Sequence, residues 1–346
     1  MSSLSWWRVW LGYTLIFLAV FWPVVTNVYG HSDEFVYINA GGNPAIFNSL
    51  WIAHLVMGRP TVGLLHGLFF SNAHCIADLA GMRAAGIVFL ACLAMLLYRA
   101  LINNGWRVVT AFCLPVIMLC MPPWQVYISM AMVSLCPLAC VASTLAVLLS
   151  DRIANQQGAT RRVVLLLLAA CLQLIATTIH QSAAMFFWVV VAINSFGVKN
   201  SLSSLRARCL RYVGVFTLAT ILALGVWWLG KQSSPSGLSP ERQHLTHHVW
   251  QKIVWFFHNP MLDALNLDHL FPSYRLAIGI GVFIAVGICI YLRGNLKERL
   301  FQVALAAILI PLSYLPNLVI AENWSAYRTQ SGLSALIVFY LFIWLY

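Results

Sequence analysis

Asp33 and Glu34 stand side by side in the stretch HSDEFVYINA, in a chain of 346 residues with only nine acidic side chains. They follow a long apolar run directly. An ionised carboxylate is costly at mid-bilayer, but it persists at a lipid–water boundary with its basicity raised. There it can take a proton from a hydroxyl and turn it into a nucleophile. The same pair could simply mark the side to which the loop is translocated, and position alone leaves both readings open. Further along, WIAHLVMGRP carries Arg59 between Gly58 and Pro60. Those neighbours predict a sharp break that returns the guanidinium toward the acids. A guanidinium binds phosphate through two parallel hydrogen bonds; its alternative is to snorkel to lipid headgroups.

Such side chains act only if the rest of the chain holds them at a boundary. The composition is 61% hydrophobic and 8% charged, with mean hydropathy +0.84. A soluble domain carries about 25% charged residues, so this chain has too little polar surface to coat a water-soluble globule. The reading is an all-α, polytopic integral membrane protein with one transmembrane domain over residues 1–346. Seven of the nine cysteines (Cys92, Cys113, Cys120, Cys136, Cys140, Cys171 and Cys289) fall inside apolar runs, and only Cys75 lies in an outer segment, so no disulfide framework is expected.

A crossing helix needs about 20 mostly apolar residues. The pattern predicts about 10 of them, at roughly 9–29, 83–101, 107–122, 124–149, 163–182, 183–198, 212–230, 274–292, 300–320 and 330–346. The third and sixth are short or tightly joined to a neighbour. With a cytoplasmic N terminus, thirteen of the twenty basic residues fall in inner segments, including the clusters Arg152/Arg161/Arg162, Lys199/Arg206/Arg208/Arg211 and Arg293/Lys297/Arg299. The acids do the reverse: Asp33, Glu34, Asp78, Glu241, Asp263, Asp268 and Glu322 lie outside, and Asp151 and Glu298 inside. The net charge of +11 is thereby explained by topology and calls for no nucleic-acid partner. The exit Asn27-Val28-Tyr29-Gly30 lacks a small-x-small cleavage pattern, so the first run reads as a retained helix. The last run stops at Tyr346 without a polar flank, which leaves room for a C-terminal continuation.

Two outer segments, 30–82 and 231–273, exceed simple turns. The first holds apolar stretches around 44–57 and 61–76, too short to cross and expected to lie along the interface as juxtamembrane helices. In the second, Ser239-Pro240-Glu241 reads as a helix start, followed by Leu245, Val249, Ile253 and Phe257 at i, i+4 spacing. No internal repeat is visible.

The acidic pair after the first helix, the two juxtamembrane helices and the many crossings resemble the GT-C superfamily of membrane glycosyltransferases. The spacing from Asp33-Glu34 to WIAHLVMGRP is similar to that in the bacterial type-II glucosyltransferases that modify O-antigen, although many of those carry Asp-Asp where this chain has Asp-Glu. The resemblance covers roughly residues 1–100 and the crossing pattern. It implies an inverting glycosyltransferase of the bacterial cytoplasmic membrane, working on its outer face. The donor would be a polyprenyl-phosphate sugar, with glucose implied, and the acceptor a lipid-linked or cell-surface glycan. No Gly-rich nucleotide loop is visible, which agrees with a lipid-borne donor entering sideways from membrane lipid. By the same analogy Asp33 is the base on the acceptor hydroxyl, and Glu34 orients the acceptor or supports a metal.

Candidates for the donor phosphate come from the outer ends of other crossings. Arg59 is joined by His180 in TTIHQSA and Arg328 in AENWSAYRTQ, with Gln181, Glu322 and Tyr327 as substrate contacts. A lone His at a helix end is more often structural, and Glu322 with Arg328 could be an ordinary interfacial ion pair. HLTHH places His244, His247 and His248 at i, i+3, i+4 on one expected helix, with His258, His269, Asp263 and Asp268 nearby. A divalent metal could use such residues, but spacing fixes no second ligand pair, so no metal or other cofactor is assigned. The oligomeric state has no sequence signature.

A transporter or flippase of lipid-linked sugar would place ionisable groups near mid-membrane, whereas here the centres of the crossings carry essentially no charge. An O-antigen polymerase would rely on clustered outer arginines, whereas this first loop leads with carboxylates. Sugar transfer is therefore the expectation.

Overall fold

The apolar run after Ser5 forms α1 (Trp6–Thr26), with Pro23 in its last turn, where the chain leaves the helix at Asn27. The first expected outer segment folds into three short helices, α2 (Ser32–Gly41), α3 (Pro44–Val56) and α4 (Pro60–Phe70). The long α5 (Ala80–Asn103) follows, then α6 (Val108–Leu119), α7 (Pro122–Ser129), α8 (Cys136–Ile153) and α9 (Ala159–Ile179). Next come α10 (Gln181–Ala184), α11 (Phe186–Ser195), α12 (Leu202–Gln232), α13 (Val249–His258) and α14 (Pro260–Leu265). The chain closes with α15 (Tyr274–Tyr291), α16 (Leu296–Leu312), α17 (Leu315–Val319) and α18 (Tyr327–Phe342). This computed structural model describes residues 5–41, 43–71, 73–154, 156–196, 202–232, 244–270, 273–292 and 294–345. Among the described residues there is no strand, only an isolated antiparallel bridge between Leu245 and Ile320.

The protein is thus all-helical and multi-pass. Among the described residues seven helices are long and apolar enough to cross a membrane, eight if the bent pair α6–α7 counts as one. The difference from the expected ten lies where proline or a tight joint breaks a run. Pro122 and Pro123 open a new helix after Cys120, and α6 and α7 meet at 62°. The expected 183–198 crossing is instead the short α10 and α11, and the expected 300–320 crossing ends at Ser313 beside Pro311. Every residue of α11 is buried, as are Thr329–Tyr340 of α18. A helix that is apolar all round belongs in the middle of a bundle, and α11 and α18 pack together there, flanked by α5, α6, α7, α8 and α16. By contrast α1, α12 and α15 keep apolar faces exposed, including Leu15, Trp22, Leu222, Trp228, Val282 and Ile290. Such surfaces suit lipid contact.

Hydrogen bonds gather the expected outer segments at one end: Tyr29 to the Ser129 carbonyl, Arg59 to Gln181, Tyr127 to the Arg328 carbonyl. At the opposite end, Asn194 of α11 donates to Asp151 of α8. The HLTHH expectation is corrected. Residues 244–248 are non-helical, with Leu245 in the bridge to Ile320, and the helix starts only at Val249. Ser239, Pro240 and Glu241, with Lys199, Arg293 and Tyr346, lie outside the described residues. All nine cysteines are free.

Candidate functional site

The loop between α3 and α4 is built to present Arg59. Gly58 N–H donates to the Leu55 carbonyl and Arg59 N–H to the His54 carbonyl. That is the paired bonding of a Schellman helix end, which places Gly58 in the left-handed region, at φ +69°. A Cβ there would also lie 3.3 Å from Cβ of Trp227 on α12, and one at Gly230 would collide with the Leu55 carbonyl. Glycine at both positions lets α12 hold the α3–α4 joint closely. Pro60 then starts α4 where its missing N–H is no loss.

From this joint the Arg59 Nε donates to Gln181 Oε1 at 2.6 Å, and Gln181 Nε2 donates back to the Met57 carbonyl at 3.0 Å. Thr61 and Thr178 hydroxyls meet at 2.7 Å, tying α4 to α9. His180 is the last residue of the α9 turn and caps α10, its Nδ1 accepting from Ala183 N–H. In the neutral ring the hydrogen is therefore on Nε2. Burial, with Arg59 and Arg328 adding to it, holds the imidazole pKa well below its ordinary value. Arg328, in the first turn of α18, lies over the Trp324 ring at 4.7 Å. Its backbone carbonyl accepts from the buried Tyr127 hydroxyl at 2.6 Å. Arg59 feels the Arg328 charge directly, and burial followed by that repulsion lowers its pKa.

Arg59, His180, Gln181 and Arg328 are thus brought together from three separate segments, the α3–α4 joint, the α9–α10 joint and the start of α18. Among the described residues neither guanidinium has a carboxylate within ion-pair distance. Two guanidiniums with no carboxylate partner among the described residues, beside a neutral ring N–H, are an arrangement that can take an anion.

The acidic pair divides. Helical geometry turns successive side chains about 100° apart, and the two neighbours meet different surroundings. Glu34 is completely buried, 3.3 Å from the equally buried Arg83. It also accepts from the backbone N–H groups of His31 and Ala131. Arg83 donates to the Tyr29 carbonyl and lies over the Tyr29 ring. With its oxygens engaged in this way, Glu34 anchors α2 to α5 and the 130–131 turn. Asp33 is exposed on the first turn of α2. Tyr37, one turn further on the same helix, feels both the Asp33 and the Arg59 charge.

Glu322 and Tyr327 point elsewhere. The charge of Glu322 acts on Lys252, whose ammonium bonds the Glu322 carbonyl at 2.6 Å and Asn323 Oδ1 at 2.9 Å. Tyr327 lines a groove of about 500 Å³ with Val20, Phe21 and Val24 of α1 and with Pro122, Gln125, Val126 and Ser129 of α7. The histidines of the second outer segment do not converge. His244, His247 and His248 line a shallow depression beside Lys252, while His269 pairs with Asp263 at 3.0 Å. Among the described residues no group of three His, Cys, Asp or Glu side chains could hold a metal.

Sequence reasoning missed Tyr37, Arg83 and Tyr127. Only Tyr37 carried a usable signal, its i, i+4 spacing from Asp33. Comparison with protein-family models, curated proteins and solved structures finds no match to this chain.

Proposed function

We propose that this chain is an inverting, polyprenyl-phosphate-sugar-dependent glycosyltransferase. It moves a sugar, glucose by the resemblance, to a lipid-linked or cell-surface glycan on the outer face of the bacterial cytoplasmic membrane. The observation that carries the reading is the convergence of Arg59, Arg328 and neutral His180, with no acidic partner among the described residues, at the end of the bundle that also bears Asp33. In this reading α10–α11 and α16–α17 are broken crossings that bring the total to the ten of a GT-C-like topology, and the bias of basic residues to the opposite loops makes this end the outer one.

Asp33 takes the proton from an acceptor hydroxyl. The resulting oxygen attacks the anomeric carbon, its electron pair forming the new glycosidic bond. The bond from that carbon to the phosphate oxygen breaks, the phosphate keeps the electron pair, and configuration inverts. Arg59, Arg328 and the His180 Nε2–H stabilise the charge gathering on the leaving polyprenyl phosphate. Gln181 holds Arg59 in place, and the Glu34–Arg83 pair holds α2 so that Asp33 reaches the acceptor. The apolar groove at Tyr327 offers the prenyl tail a way in from lipid.

The test uses purified protein, polyprenyl-phosphate glucose and a lipid-linked glycan. Release of polyprenyl phosphate that stops in Asp33→Asn without loss of folded protein supports the reading. Movement of lipid-linked sugar with no bond cleaved would overturn it in favour of a flippase. The convergence of two arginines also suits an O-antigen polymerase. That reading would be favoured by turnover of a diphosphate-linked oligosaccharide donor with none of the monophosphate sugar.

A further inference from the structure

The first outer segment buries two histidines that the transfer chemistry does not use. His54 of α3 and His66 of α4 are 7% and 3% exposed. They pack against Tyr37, whose ring also stacks on Phe70 at 4.9 Å. Burial lowers the His54 pKa to about 3 and the His66 pKa to about 4, so both rings are neutral near pH 7.

Their tautomers follow from one backbone group. His66 Nε2 lies 2.9 Å from the Met132 carbonyl oxygen, which can only accept, so Nε2 carries the hydrogen and Nδ1 the lone pair. That lone pair faces His54 Nε2 at 3.4 Å, and the same nitrogen lies 3.0 Å from the Tyr37 hydroxyl oxygen. If His54 Nε2 holds the hydrogen, it serves both acceptors. The buried His54 Nδ1 has no partner, and in this arrangement it is a bare lone pair. The reverse arrangement, with Tyr37 donating, leaves His66 Nδ1 unfilled and a buried His54 N–H with no acceptor. An orphaned donor is the rarer and costlier defect. In the favoured arrangement the Tyr37 oxygen accepts, and its own hydrogen is left over.

We propose that Tyr37 is a further ligand of the anion site: the Met132–His66–His54 relay keeps its phenol hydrogen free to donate to a phosphate oxygen held by Arg59. This rests on the anion-site reading above. His54 links Tyr37 to Arg59: its ring meets the Tyr37 hydroxyl at 3.0 Å and its backbone carbonyl accepts from Arg59 N–H at 2.8 Å, and Tyr37 lies within electrostatic reach of both Arg59 and Asp33. The ligand chemistry is a phosphate oxygen, from a lipid phosphate or from free phosphate.

Binding of geranyl phosphate and of inorganic phosphate to the detergent-purified full chain tests this. Tyr37→Phe keeps the ring packing and should weaken binding by about 10-fold, the worth of one hydrogen bond to a charged group. Loss confined to geranyl phosphate assigns a lipid phosphate, and loss with both probes assigns phosphate itself; either supports the proposal. His66→Leu should lose as much as Tyr37→Phe, and the double variant no more than either alone. His66→Gln, whose amide can still donate to Met132 and accept from His54, should restore binding. Nitrogen-15 shifts should show both rings protonated at Nε2, whether or not ligand is present. Unchanged affinity in Tyr37→Phe alongside loss in Arg59→Gln overturns the proposal and leaves the anion site standing. Unchanged affinity in Arg59→Gln removes the anion site and the proposal together.

Discussion

The two ends of the bundle handle charge in opposite ways. At the end holding Asp151, Tyr212 and Asn194 both donate to the carboxylate, at 2.6 and 2.7 Å. Arg208 lies 3.5 Å away and donates to the Asn194 carbonyl, and Asn104 completes the chain. Both carboxylate oxygens have a donor. At the other end Arg59 and Arg328 repel one another with His180 between their fields. A balanced network locks helices, whereas an unbalanced one stores repulsion that a ligand of opposite sign relieves. The same contrast recurs within two residues of α2, where Glu34 is paired and Asp33 is not.

Changing these groups should separate architecture from chemistry. The largest effect is expected from Asp33→Asn, which should lower turnover by about 100- to 10,000-fold. Its unfolding temperature should stay put, because the side chain is exposed; parallel losses in both assays would erase the contrast. Glu34→Ala should act first on stability, costing about 3–5 kcal/mol in a denaturation series by leaving Arg83 buried and unpaired. Next, Arg328→Gln should weaken phosphate binding by about 10- to 100-fold while slightly raising the unfolding temperature, since one of two like charges is gone. Asp151→Ala should lower stability by about 1–3 kcal/mol with no change in phosphate affinity, and a change would show that the two ends are coupled.

The smallest effect is a pH dependence at Asp268. This carboxyl is buried beside Ser334, and burial, with Asp263 adding to it, pushes its pKa up to about 7. The folded chain therefore holds the proton more tightly than the unfolded one. The resulting stability is present at acid pH and is lost as pH rises through about 7. Asp268→Asn should raise the unfolding temperature at pH 8 by roughly a few degrees and leave it unchanged at the most acid pH tolerated. A variant with the same pH profile as the parent would remove Asp268 from the account.

Much of the fold was legible because apolar runs have a length that only a crossing or a buried helix uses. The short helices α3 and α4 and the Gly58 break between them were legible for a related reason, since Gly and Pro restrict the chain locally. The breaks between α10 and α11 and between α16 and α17 were not, because an apolar run reads the same whether it stays straight or kinks against neighbours. For the site, residue type pointed to Arg59, His180, Gln181 and Arg328. Nothing local placed Glu322 beside Lys252, or Tyr327 in a groove with α1 and α7.

The sequence by itself determined that this is a helical, multi-pass membrane protein. Hydropathy and charge act residue by residue against lipid and water, so they need no partner to be read. Only the tertiary structure decided which of two adjacent carboxylates is buried with Arg83 and which is open. Likewise, only packing across three segments decided that Arg59 and Arg328 would meet with no carboxylate of the described residues within ion-pair distance. Pairing and desolvation depend on groups far apart in the chain, which only folding brings within reach.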